Sequence, residues 1–123
     1  MFLADFTHFM PFFKVTTNVA IQEPRMSKFL EDMHQFVVEE LEKPEKYVMV
    51  AVDDQVAMHF AGSNAPLAFV EFKSIGLPDT KRLSTAICDL LRLKLNIPVD
   101  RTYIEFVDEP RDKFGYNRTT FEK

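Results

Sequence analysis

The stretch KPEKYVMVAVD, residues 43–53, decides the fold. Pro44 stops any helical pattern running into it, because proline disfavours helical geometry in the residue before it. The residues from Tyr47 to Asp53 then read as an extended strand that is apolar on both sides. Val48, Val50 and Val52 share one face, and Tyr47, Met49 and Ala51 share the other. Such a strand needs cover on both sides. Its neighbours in sequence say what supplies it.

Upstream, residues 25–42 carry Met26, Phe29, Leu30, Met33, Phe36, Val37 and Leu41, an apolar stripe at helical spacing, with Pro24 suited to the first turn. Before that helix, Phe13, Val15, Thr17 and Val19 line one face of a strand that opens at Pro11. Downstream, AMHFAG (57–62) reads as a short extended piece and LAFVEFKSIG (67–76) as a strand ending at Gly76. A second helix follows from about Pro78 to Leu95, with Leu83, Ala86, Ile87, Leu90 and Leu91 in register. IPVDRTYIEFVD (97–108) closes the series as the fourth strand. Each half is therefore strand, helix, strand, and each helix exits through a proline shortly before a tyrosine-bearing strand. The expected fold is α+β: a duplicated β-α-β unit whose four-stranded mixed sheet carries both helices on one face. The other face is left bare, and the apolar outer side of the second strand points to assembly through the sheets, as a homo-oligomer.

Composition narrows the function classes. The 123 residues suffice for one domain with a real core, and 46% are hydrophobic, including thirteen Phe, so the chain is not disordered. A net charge of −4 argues against nucleic acid as a partner. No apolar run reaches transmembrane length, so no membrane partner is expected. The opening MFLADFTHF lacks the basic start, unbroken apolar stretch and cleavage site of a signal peptide. The four-stranded plan also suits RNA-binding domains, but the candidate stacking residues Phe69 and Phe72 point to opposite faces.

General catalytic motifs are absent, and three glycines are too few for a phosphate-cradling loop. His8, His34 and His59 have no ligand spacing, so neither metal nor cofactor is expected. Cys88, the single cysteine, lies beside the apolar stripe of the second helix and reads as a packed thiol. Asn117-Arg118-Thr119 matches a glycosylation sequon without a secretory signal.

Specific information comes from five words in order: PFFKVTTNV, KPEKYVMVAV, MHFAGSNAPLAFVEFKSIG, IPVDRTYIEF and FGYNRTTF. Together they resemble the macrophage migration inhibitory factor and D-dopachrome tautomerase family across residues 10–121. The resemblance implies a homotrimer with sheets around a central axis, a tautomerase-like domain over residues 10–123, and residues 1–9 as an extension or leader. It implies keto–enol tautomerase activity on a small aromatic keto acid, with an N-terminal proline, here Pro11, as catalytic base. Substrate-binding positions carry over to Lys43, Ile75, Phe114, Tyr116 and Phe121, with Tyr103 and Glu105 supplied by a neighbouring subunit. At Glu105 the family has asparagine, and at Tyr116 mammalian members have tryptophan. The family's Cys-x-x-Cys stretch is PLAFV here, so the associated thiol–disulfide activity is expected to be missing.

Pro11 poses the functional question. A proline base works through its secondary amine, with a pKa lowered by an apolar pocket and nearby cations. As written, Pro11 is amide-bonded to Met10 and has no basic lone pair. In one reading, Met10 is the start and is removed, leaving Pro11 free; proline's small side chain permits that removal. In the other, the extension is retained, Phe2, Leu3, Phe6 and Phe9 pack over the pocket mouth, and the protein is a non-catalytic, cytokine-like trimer with a cell-surface receptor as partner. The resemblance places either form in the cytoplasm, with release by a signal-peptide-independent route.

Overall fold

The computed structural model describes residues 11–42, 45–77 and 79–122. Strand β1 (Phe12–Thr17) leads to helix α1 (Arg25–Leu41), then β2 (Met49–Asp53) and β3 (Ala68–Ser74). Helix α2 (Thr80–Leu95), β4 (Thr102–Asp108) and a terminal hairpin, β5 (Gly115–Tyr116) with β6 (Thr119–Thr120), complete the chain. The main sheet has the order β2-β1-β3-β4. β1 runs parallel to β2 and β3 parallel to β4, while the central pair β1 and β3 is antiparallel. The two β-α-β halves that the sequence pattern predicts thus meet along β1 and β3.

The register sorts the side chains into rows. On the helix side, Val52, Val15, Val70 and Ile104 form one row, and Val50, Phe13, Phe72 and Phe106 the next. Phe29, Met33, Val37 and Leu41 of α1 pack onto these rows together with Leu83, Ile87, Leu91 and Leu95 of α2, in one core. Phe13 and Phe72 are fully buried, their rings 5.4 Å apart, and each contributes about 1.5–3 kcal/mol by burial alone. The buried Thr17 hydroxyl donates to the Leu67 carbonyl at 2.6 Å, so this polar group costs the core little.

Local chemistry sets the helix ends. The Glu23 carboxylate, one residue ahead of the N-cap Pro24, accepts from the Ser27 backbone N–H at 3.1 Å in the first turn of α1, and Asp79 caps α2 by accepting from the Arg82 N–H at 3.1 Å. Glu42 (φ 53°) and Asn96 (φ 58°) end the helices in the left-handed conformation. Asp32 ties the helices together, accepting from Lys28 at 2.7 Å and pairing with Lys94 at 3.5 Å. Burial pushes the Asp32 carboxyl up, but the Lys28 hydrogen bond and the charges of Lys94 and Lys28 outweigh it and hold the carboxyl below its ordinary range. A depressed carboxyl stabilises the fold above the unfolded-state value, and that contribution is lost as pH falls through the folded-state one. Asp32→Asn should therefore cost under about 1 kcal/mol near neutrality, because the partners are solvent-screened, and nothing once the wild-type carboxyl is protonated in strong acid. Denaturant melts of both proteins across pH check this; a gap that persists in strong acid would point to packing instead.

The structure corrects several boundaries. Tyr47 is not in the second strand. It ends a 3-10 turn, Glu45–Tyr47, so β2 starts two residues later than its pattern suggests. The fourth strand likewise begins only at Thr102, after a 3-10 turn at Val99–Arg101 that Pro98 initiates. AMHFAG contains no strand, only a bridge from Phe60 to Ser63 across a tight turn. The hairpin β5–β6, unforeseen in the tail, turns at Asn117 (φ 51°) and Arg118 (φ 70°), the paired positive values that a two-residue hairpin requires. The outer sheet face also differs from expectation. Its middle row is Ala51, Lys14, Glu71 and Glu105, so charge interrupts what the β2 pattern alone suggests is an apolar face.

Candidate active site

Pro11 sits where β1 begins, fully buried, and its carbonyl accepts from the Met49 N–H at 3.1 Å. That bond joins the residue just before β1 to the first residue of its parallel neighbour β2. A cleft of about 190 Å³ opens at this corner, lined by Pro11, Phe12, Lys46, Tyr47, Val48 and Met49, with Phe114, Gly115, Tyr116 and Phe121 from the tail.

Its walls are aromatic. Tyr116 and Phe121 stack at 5.4 Å, and Tyr47 meets both edge-on, at 5.4 Å and 6.2 Å. Phe114 packs against Phe121 at 6.2 Å, and the Phe121 N–H donates to the Phe114 carbonyl at 3.2 Å. The β5–β6 hairpin makes this possible, since it brings residues 114 and 121 face to face. Beneath them Ile75 is buried against Tyr47, Phe114 and Phe121. The Lys46 ammonium lies 5.0 Å from the Tyr47 ring centroid, placing a cation on the rim of an apolar slot. The arrangement suits a flat ring carrying an anionic group.

The expected site residues divide into three groups. Pro11, Phe114, Tyr116 and Phe121 come together in the cleft, and Ile75 supports them from below. Lys43 lies outside the described residues, as do His8 and the leading segment with Phe2, Leu3, Phe6 and Phe9. Tyr103 and Glu105 do project from one face of β4, both exposed, but that strand is the opposite edge of the sheet and neither lines the cleft of its own chain. Lys46 and Tyr47 escaped the sequence reading. The signal was present in Pro44-Glu45-Lys46-Tyr47, a proline-led turn that the apolar alternation of Tyr47 disguised as strand.

Other reactive groups stay apart from this corner. His34 meets the Glu45 carbonyl at 3.2 Å and links α1 to the 3-10 turn. Cys88 is half-buried on α2, and burial, aided by the Asp89 charge, pushes its thiol up, away from a reactive thiolate. Among the described residues no cluster of His, Cys, Asp or Glu suits a metal ion, and no helix is long and apolar enough to cross a membrane.

The family model for macrophage migration inhibitory factor (MIF) matches residues 10–122. The chain belongs to the macrophage migration inhibitory factor family. The MIF homolog of Brugia malayi is 38% identical over 115 residues, covering 91% of this chain and 99% of the relative. The mouse factor is 36% identical over 118 residues, with the same coverage. Among solved structures, the MIF homologue from Prochlorococcus marinus superposes with a TM-score of 0.84 at 36% identity, covering 90% of this chain and 99% of its own. The Trichinella spiralis factor gives 0.82 at 35%, covering 89% and 99%. The two helices and four-stranded mixed sheet are thus the MIF architecture. The match opens at residue 10, one before the proline of the cleft.

Proposed function

We propose that the chain is a keto–enol tautomerase of small aromatic keto acids, of the phenylpyruvate or dopachrome type, active when Pro11 is the first residue. The observation that carries this reading is the place of Pro11, inside an aromatic slot with a lysine at its rim. A secondary amine there takes a carbon-bound proton from the substrate and returns it at the enol position. Tyr47, Tyr116 and Phe121 hold the substrate ring, while the apolar walls and nearby cations disfavour the protonated amine and keep the base available near neutrality. Of the domain over residues 10–123, residues 11–123 then do the work, with Met10 and everything before it removed.

The assembly proposed is a homotrimer. Tyr103 and Glu105 stand exposed on the outer face of β4, suited to complete the cleft of a neighbouring copy rather than their own. Sedimentation of the protein at micromolar concentration should give a mass near three subunits. A stable monomer would remove Tyr103 and Glu105 from the site.

A second reading follows from the buried Pro11 ring and its amide bond to Met10 in the full chain. With the extension retained the proline is no base, and the protein is a non-catalytic, cytokine-like trimer acting at a cell-surface receptor after release from the cytoplasm. Intact mass of the natural protein, together with phenylpyruvate tautomerase assays of the full chain and of a chain beginning at Pro11, separates the two. Activity confined to the shortened chain supports the catalytic reading. A natural protein that keeps residues 1–10 supports the second.

A further inference from the structure

Residues 60–66 form a closed knob. Phe60 and Ser63 exchange backbone hydrogen bonds of 2.9 Å and 3.1 Å around Ala61 (φ 55°) and Gly62 (φ 74°). Arg101, at the end of the 3-10 turn before β4, spreads its guanidinium across the knob. Its Nε donates to the Pro66 carbonyl, Nη1 to that of Phe60, and Nη2 to those of Ser63 and Ala65, each at 3.0 Å. The Asn18 amide fixes the other side, donating to the Asn64 carbonyl at 2.8 Å while its oxygen accepts from the Leu67 N–H at 3.0 Å. So held, the knob presents the Phe60 ring with the Arg101 guanidinium 5.3 Å from its centroid and the Tyr103 ring 4.7 Å away, tilted by 44°.

Tyr103 is 63% exposed, and an exposed side chain ordinarily samples several rotamers. We propose that Arg101 and Phe60 are positioning residues: they orient Tyr103 so that one copy of the chain offers it, already ordered, to the cleft of the next. This rests on the trimeric tautomerase reading above. Ordering the ring before assembly removes part of the entropy cost of completing the site. A lysine cannot replace Arg101, since a single ammonium cannot span four carbonyls in fixed directions.

The test uses the full chain labelled with 3-fluorotyrosine, its Tyr103 resonance assigned with Tyr103→Phe. Phe60→Leu keeps apolar bulk but loses the ring, and should move that resonance toward the free amino acid value. Arg101→Lys should do the same, and Phe60→Tyr should leave it in place. A Tyr103 resonance unmoved in folded Phe60→Leu protein overturns the proposal; where Arg101→Lys fails to fold by circular dichroism, Phe60→Leu decides. In a chain starting at Pro11, Phe60→Leu should lower phenylpyruvate kcat/KM roughly 10-fold, mainly through KM. The same substitution in a Tyr103→Ala background should have no further effect, because the two act as one unit. Additive losses overturn the proposal. If the chain starting at Pro11 is inactive, the tautomerase reading fails, and the fluorine resonance alone decides whether Phe60 and Arg101 orient Tyr103.

Discussion

One alanine placed ahead of Pro11, in a chain otherwise starting there, should lower phenylpyruvate tautomerase kcat by at least about 100-fold, since a positioned general base contributes about 10²–10⁴-fold. The insertion changes one bond. It converts a secondary amine into an amide whose lone pair is delocalised into a carbonyl, so the proton acceptor vanishes. The surroundings stay: the Pro11 carbonyl still accepts from Met49, and the walls at Tyr47, Phe114, Tyr116 and Phe121 do not depend on the nitrogen. Loss of rate with an unchanged melting temperature is therefore the expected pair of results. Pro11→Gly should also remove most of the activity. It leaves a primary amine on an unconstrained residue in place of a ring fixed in φ. Equal rates in the full chain and the chain freed at Pro11, both verified by intact mass, would show that the base is elsewhere.

Glu105→Asn, in the same freed chain, should lower KM for a keto acid roughly 5-fold, with a smaller change in kcat. Glu105 is exposed on the outer face of β4, directly across from Glu71, which lies 3.9 Å from Lys73. Two carboxylates on adjacent strands form an unfavourable field for a third, and unit charges ~4 Å apart interact by about 1 kcal/mol in water and more when partly shielded. The repulsion acts on the bound acid before proton transfer, so it belongs in ground-state binding. The methyl ester lacks the charge and should respond much less. Equal responses of acid and ester would place Glu105 on the rim, facing solvent.

The parts of this fold that follow periodic burial were readable from residues alone. Phe13, Val15 and Thr17 alternate because β1 has one face on the core, and the stripe from Phe29 to Leu41 recurs because α1 lies along the same sheet. What escaped was structure set by turn geometry. Tyr47 continues the apolar alternation of β2, yet Glu45–Tyr47 coil into a 3-10 turn that packs the ring on Ile75. The tail hairpin turns on positive φ at Asn117 and Arg118, and arginine announces no such preference. Tyr103 and Glu105 were readable as face-sharing neighbours, because strand period is indifferent to assembly. The surface proposed for them lies on another copy, and a single chain's pattern cannot specify it.

The two halves of the sheet also build two equivalent corners. At one, β1 and β2 start side by side after a 3-10 turn at Glu45–Tyr47; at the other, β3 and β4 start side by side after one at Val99–Arg101. The first corner lies open beside Pro11. The second is stoppered from within, by the Arg101 guanidinium and the carbonyls from Phe60 to Pro66. Duplication thus supplied a pair of vacant berths, and one arginine moored the chain's own loop in the second. Of these two corners the one beside Pro11 opens into the aromatic cleft, and the other is braced by the chain's own loop, beside the Tyr103 that the proposed assembly would offer to another copy.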